Sequence, residues 1–411
     1  MNSAVPALLA LLLVGALPAM AVVAAGPDDV AGTVSGDTPA QPALAVEGPS
    51  DPLDAVNTTN RLPLAGDVTS TYVRSHPDFG VTLSIGDSAL RTEYDAFVFE
   101  TRFEELSPTE RREAIDSELE RVDEEIEALR EREHRAVREH AAGERSDRAL
   151  LQEFTQSNAD AVALTNWLDQ LVVYANDVPG YSIGVRSQKE ELGVYRGPVR
   201  EHLVMTTSAD GSTRQAQIAI AIQTSETGVT LGILDRDRYL RETTRYDHRN
   251  VSAPDQIGGY SNASALFEEQ YPWTDDVSRS SQGLEFIDRQ LYIRSVPHDH
   301  GEIDVYFDGG TGAVYYESQR LLVNQLPVET PTETWTNESL ELAINRTVAN
   351  GPIEVTVTDE SGDPVRATVL VGETVVGETN ADGVLWILPP HGEFDLTAQA
   401  GDSAVTATLG E

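Results

Sequence analysis

The chain has 411 residues, 68 of them acidic and 29 basic, a formal net charge of −39, and no cysteine. That charge excludes nucleic-acid binding, which needs basic patches for phosphate contacts. The missing cysteines exclude disulfides, thiol nucleophiles, zinc–thiolate sites and lipidation of an N-terminal cysteine. Lys189 is the only lysine. A surface this acidic repels itself in dilute buffer, and is tolerated where molar salt cuts the Debye length to ~3 Å.

Residues Ala4 to Ala25 carry no charge and are mostly Ala, Leu and Val. Ala19-Met20-Ala21 is a small-x-small cleavage site, with Val23-Ala24-Ala25 as the alternative. The pattern is that of a secretory signal peptide over 1–21. At about 22 residues the stretch is also long enough to stay as an uncleaved anchor. Residues 26–60, rich in Pro, Gly, Ala and Asp, read as a disordered linker.

Residues 61–180 read as short strands followed by a helical hairpin. Val81-Thr82-Leu83-Ser84-Ile85 alternates, and Ala96-Phe97-Val98-Phe99 is β-rich or begins a helix. Ser107-Pro108-Thr109-Glu110 starts a helix, with Ser as cap, Pro at the first position and Glu as box partner. Ile115, Leu119, Val122, Ile126 and Leu129 form a heptad seam that degrades at Glu133, Ala136 and His140. Leu151, Phe154, Ala161, Leu168 and Val172 mark a return helix that ends at Asp177-Val178-Pro179-Gly180. The expectation is a long antiparallel α-hairpin, coiled-coil-like, with arms of about 30 residues or ~45 Å. Such a pair needs a further layer, supplied by its own β-domain or by homo-oligomerisation through the hairpin.

Residues 181–258 read as a β-rich domain, with strands at Gln217–Gln223 and Val229–Leu234 and a hairpin turn at Asp210-Gly211. Residues 259–325 read as a small α+β domain: a helix from Asn262 to Tyr271, then strands at Leu291–Val296, Ile303–Phe307 and Ala313–Glu317. A Pro/Thr-rich linker covers 326–350. Residues 351–411 carry six short alternating strands, enough for a small β-sandwich. The fold class is therefore α+β and multidomain.

Catalytic motifs are poorly supported. Gly180-Tyr181-Ser182-Ile183-Gly184 matches G-x-S-x-G, but a nucleophile elbow needs strand–turn–helix and the order here reads helix–turn–strand. His298 and His300, two apart on a hairpin tip, are the metal candidates; His248 could join them in space, but no third ligand is fixed by spacing. Asp235-Arg236-Asp237-Arg238 and Asn380-Ala381-Asp382-Gly383 lack the full calcium-loop pattern. With no P-loop, no G-x-G-x-x-G and no H-E-x-x-H, no cofactor and no enzyme activity are expected. Five N-x-S/T sequons, at Asn57, Asn250, Asn262, Asn337 and Asn345, mark candidate glycosylation sites.

Several stretches resemble a group of exported halophilic-archaeal proteins of unknown function: Asn57 to Leu62, Tyr94 to Phe103, Gly197-Pro198-Val199-Arg200, Tyr271-Pro272-Trp273, His298 to Gly301 and Asp308-Gly309-Gly310. The resemblance implies no catalytic residue. The C-terminal module, through Val357-Thr358-Asp359 and Asp382 to Pro389, resembles carboxypeptidase-regulatory or transthyretin-like β-domains, which implies an appended, non-catalytic module. Residues 260–320 weakly resemble small helix-plus-strands peptidase inhibitors. The expected function is a non-catalytic binding or structural role at the cell surface or outside the cell, with an envelope protein or glycan as partner. The alternative is a secreted peptidase regulator. A membrane is a partner only if the N-terminal segment is retained.

Overall fold

The computed structural model describes residues 46–48, 62–74, 79–207, 219–235, 237–274, 285–287, 290–326, 333–337, 339–347, 351–390 and 392–410. The signal peptide expected over 1–21, most of the 26–60 linker with Asn57, and the Asp210-Gly211 turn lie outside the described residues. One piece of that linker is a strand: β1 (Val46–Gly48) pairs antiparallel with β2 (Gly66–Arg74).

Three long helices follow: α1 (Phe79–Glu105), α2 (Pro108–Ala141) and α3 (Asp147–Asn176). The long two-helix hairpin is not evident as such, because α1 adds a third member to the layer. Val81–Ile85, expected as a strand, is a turn of α1, and Ala96–Phe99, where the sequence leaves strand or helix start open, lies within the same helix. Packing decides this. Ala96, Phe99 and Phe103 share one helical face, and the Phe99 ring lies 5.3 Å from both Trp167 and Tyr174 of α3. Such contacts override weak local propensity. Ser84 donates to Gln156 at 2.8 Å and Ser88 to Asp160 at 3.2 Å, a constant offset that makes α1 parallel to α3. Arg132 pairs with Glu153 at 2.6 Å and the Trp167 indole donates to Glu118 at 3.2 Å, so α2 and α3 are antiparallel. The start of α2 is a true capping box: the Ser107 N–H donates to Glu110 Oε2 at 2.9 Å, and the Glu110 N–H to Ser107 Oγ at 3.5 Å. No described helix is long and apolar enough to cross a membrane.

The stretch after α3, expected to be β-rich, instead forms α4 (Arg186–Gly193) and α5 (Pro198–Thr207). Pro198 cannot donate to a ladder and suits the first turn of a helix. The remaining strands are β3 (Ala219–Thr224), β4 (Gly228–Asp235), β5 (Arg238–Arg245), β6 (Glu285–Ile287), β7 (Leu291–His298), β8 (Gly301–Asp308) and β9 (Ala313–Leu322). With β1 and β2 they make one antiparallel sheet in the order β1-β2-β3-β4-β5-β9-β8-β7-β6. It runs through both segments that the sequence divides at 258/259, joined where β5 pairs with β9 from Arg238↔Leu322 to Thr244↔Tyr316.

Both faces of this sheet are covered, so β4 is buried nearly throughout instead of alternating. On one face Ala136, Val137, Leu150, Phe154, Val199 and Leu203 from the helices meet Ile220, Ile222, Leu231 and Ile233. On the other, Phe267 and Tyr271, in and just after α6 (Tyr260–Gln270), pack on Tyr292, Ile303, Val305 and Phe307.

The C-terminal module is a sandwich of two four-stranded sheets. β10 (Glu333–Thr336) and β11 (Leu340–Arg346) come from residues expected as linker. They pair onto β12 (Ile353–Asp359) and β15 (Val384–Ile387). The facing sheet holds β13 (Thr368–Val371), β14 (Thr374–Glu378), β16 (Phe394–Ala400) and β17 (Ser403–Leu409). Leu340, Leu342, Ile344, Val355, Val357, Leu396 and Val405 fill the space between. Leu388 and Trp386 then pack against Tyr72, Tyr239, Leu321 and Leu326, seating the sandwich on the larger sheet.

Candidate binding cleft

The heptad seam of α2 does not stop at Leu129. Glu133, Ala136 and His140 continue its spacing and are all buried. The positions that look like degradation are where the helix carries buried polar chemistry into the sheet. Glu133 and Arg200 are both 0% exposed, and Arg200 Nη2 donates to Glu133 Oε1 at 2.6 Å. Arg200 Nη1 lies 3.2 Å from Glu242 Oε1 and donates to the Val194 carbonyl at 2.7 Å. The Tyr246 hydroxyl donates to Glu133 Oε1 at 2.6 Å. The guanidinium also sits 5.1 Å from the Phe154 ring centroid.

Two carboxylates thus share one buried cation. Burial alone would lower the Arg200 pKa, but Glu133 and Glu242 together raise it. Burial pushes Glu242 up to about 7, only partly offset by Arg200. Gly197 is required beside it: a Cβ there would lie 2.8 Å from Glu242 Cδ and closer still to Oε2 and the Tyr316 hydroxyl. The Gly197-Pro198-Val199-Arg200 stretch therefore supplies room, a helix start, a core side chain and the central cation.

A second cluster lies alongside. Arg249 pairs with Glu191 and Asp308, 5.5 Å from the Tyr315 ring centroid. The other oxygen of Asp308 accepts from the Asn250 N–H at 3.1 Å and the Thr311 N–H at 2.8 Å. Deeper on the opposite face, Glu317 takes Arg241 at 3.0 Å, the Tyr271 hydroxyl at 2.7 Å and Gln319 at 2.7 Å.

Between the first two clusters opens a cleft of about 270 Å³. Ile126 and Arg130 of α2, Glu191 of α4, Val194 and Tyr195 after it, Tyr246, Arg249 and Val251 after β5, and Tyr315 of β9 line it. The His134 ring stacks on Tyr246 at 4.5 Å, and burial lowers its pKa. Three tyrosines offer flat walls, and the charged groups beside them are bonded largely to one another. Chemically this suits holding a small aromatic, sugar-like or peptide group.

The residues singled out from sequence lie elsewhere. His298 ends β7, buried rather than exposed at a turn, edge-on to Trp273 at 5.0 Å and to His300 at 5.7 Å. The His300 N–H donates to His298 Nδ1 at 3.2 Å. The His248 ring instead bonds the Val314 carbonyl at 2.7 Å. Among the described residues no three His, Asp or Glu side chains group to hold a metal. Ser182 is exposed in the loop between α3 and α4, with no strand before it. Asp235 and Arg238 flank the β4–β5 turn, and Asn380 Oδ1 is spent on the N–H groups of Asp382 and Val384 at 2.9 and 3.0 Å. Asn250, Asn262 and Asn337 are exposed; Asn345 is half-buried on β11, its amide donating to Glu354 at 3.0 Å.

Three family models match in turn. Residues 1–214 match a domain of unknown function (DUF7096), 214 of the 411 residues. The chain belongs to the DUF7096 family. Residues 220–327 match a family of unknown function (DUF7094), and 331–407 an archaeal fibronectin-III type-like domain. That last model coincides with the sandwich, including β10 and β11. In this DUF7096 protein the two regions of unknown function close on each other. Glu133, Glu191 and Arg200 come from the first; Glu242, Tyr246, Arg249 and Tyr315 come from the second. No curated protein and no solved structure matches the chain.

Proposed function

We propose that this protein is exported into a high-salt exterior and acts there by binding an envelope component in the Tyr195–Tyr246–Tyr315 cleft, without catalysis. The observation that carries the reading is the pairing in and beside the site. Beside the cleft Arg200 is held by two buried carboxylates, and in its wall Arg249 is held by Glu191 and Asp308, leaving three tyrosines, with Asp123 and Glu127 of α2 beside them, to meet a ligand. A catalytic site instead presents a nucleophile or base aimed at open space. Export is supported by the uncharged Ala4–Ala25 stretch, and the salt habitat by the −39 charge with one lysine. The appended sandwich, with only Arg346 and Arg366 against its many acids, suits a surface module.

The test uses Val251, which is exposed at the rim of the cleft. Val251→Trp fills the mouth without touching the buried clusters. The native protein should retain envelope material at molar salt and the variant should lose it, with the same melting curve. Equal retention by both proteins would overturn the assignment of the cleft.

A further inference from the structure

The helix α1 is amphipathic twice over. Its inner face, Ala96, Phe99 and Phe103, packs on α3. Its outer face carries Leu83 at 58% exposure, Leu90 at 65%, Tyr94 at 67% and Phe97 at 62%. Four of the nine most exposed large apolar side chains among the described residues therefore sit on one helix. Their spacings are 7, 4 and 3, the a/d pattern of a helix that packs against another helix. Among the described residues no other helix covers them.

We propose that this stripe is a dimer interface: two copies of the chain pair α1 against α1 through Leu83, Leu90, Tyr94 and Phe97. Three observations favour a second copy over other occupants. First, a heptad stripe is self-complementary, since knobs at a and d fit the holes of an identical helix about a two-fold axis. Second, the area suits a dimer. With aromatic side chains of ~150–250 Å² each, the stripe exposes on the order of 500 Å², beyond what monomers usually leave open. Two stripes remove about 1,000 Å², and flanking polar atoms bring the total to the ~1,200 Å² of a stable interface. Third, the charge is local. Over Leu83–Arg91 the only charges are Asp87 and Arg91, paired with each other at 2.9 Å. This near-neutral half-helix lets two chains of −39 approach, whereas the acids at Glu93, Asp95 and Glu100 argue against an anionic lipid surface.

The absence of cysteine makes the test clean. The full chain at molar salt is measured by sedimentation velocity over a concentration series, and it should run at twice the monomer mass. Leu90→Glu with Phe97→Glu should shift the dissociation constant upward by at least about tenfold, because each charge would be buried at the seam. Both positions are exposed in the single chain, so the variant should keep the wild-type circular-dichroism spectrum. Single-cysteine variants Leu90→Cys and Tyr94→Cys, under mild oxidant, should cross-link to dimers, while the exposed sandwich control Val375→Cys should not. A wild-type chain that stays monomeric throughout overturns the proposal. So does a dimer that survives the double glutamate change, cross-linking no better than the control, or binding to anionic vesicles that competes with self-association.

Discussion

Arg200→Met is the sharpest perturbation of this fold. The guanidinium is shared by Glu133 and Glu242, both buried, and donates to the Val194 carbonyl. Met nearly matches its length but none of its donors. Breaking a buried ion pair by removing one partner costs about 3–5 kcal/mol, because the stranded charge stays desolvated. That is a large share of a domain stability of about 5–15 kcal/mol. At about 2–4 °C per kcal/mol, the helical melt should fall by roughly 10 °C. The assay is circular dichroism at 222 nm in molar salt, which follows the helix layer and leaves the all-β sandwich nearly silent. Arg145→Met is the control, since its pair with Glu139 at 2.8 Å lies in the same helix layer, is partly exposed and is worth about 0–1 kcal/mol. Adding Glu133→Leu and Glu242→Leu to Arg200→Met should restore most of the loss, as apolar replacement of a whole buried cluster often does. Equal shifts for Arg200→Met and Arg145→Met would refute the idea that this cluster organises the fold.

Further outcomes follow from the same geometry. Gly197→Ala must push the Glu242 carboxylate aside and should cost about 1–3 kcal/mol, read from the same melt. Glu242 titrates at about 7 when folded and near 4.3 when unfolded, so its contribution is complete below the lower value and is lost as pH rises through the upper one. Glu242→Gln should therefore flatten the fall in stability from about pH 5 to pH 8; an unchanged slope would assign the titration elsewhere. A fragment of residues 331–411 should fold at molar salt. One of residues 351–411 should not, because it loses β10 and β11 and bares Val355 and Val357. Dispersed amide resonances from the shorter fragment would contradict this. N-terminal sequencing of native protein from the envelope or medium should begin near Val22, and intact Met1 in the soluble cytoplasm would sink the export reading.

What the sequence revealed was local. The capping box at Ser107, the strands from Leu291 onward and the six sandwich strands depend on neighbours a few residues away, and they sit within a residue or two of where the pattern places them, except that β9 runs on from Glu317 to Leu322. The helix α1 was hidden because Val81–Ile85 alternates and the Phe97-Val98-Phe99 run favours strands; its inner face is legible only once Trp167 and Tyr174 stand opposite. β10 and β11 were masked by the prolines and threonines before them, although Leu340, Leu342 and Ile344 alternate plainly. The central cluster joins Glu133, Arg200 and Glu242, whose positions no motif links. Its one sequence trace was a glutamate and a histidine standing at heptad positions, where an unbroken seam places leucine. The spacing of His298 and His300 suggests metal ligands, whereas His298 is a buried partner of Trp273.

The central claim is that the cleft binds and does not convert. Envelope material retained by the wild-type protein at molar salt, released by mild denaturation and weighed by mass spectrometry, should have the same mass before and after prolonged contact. A new product that accumulates with the wild-type chain and not with Val251→Trp would contradict the account and make the cleft an active site.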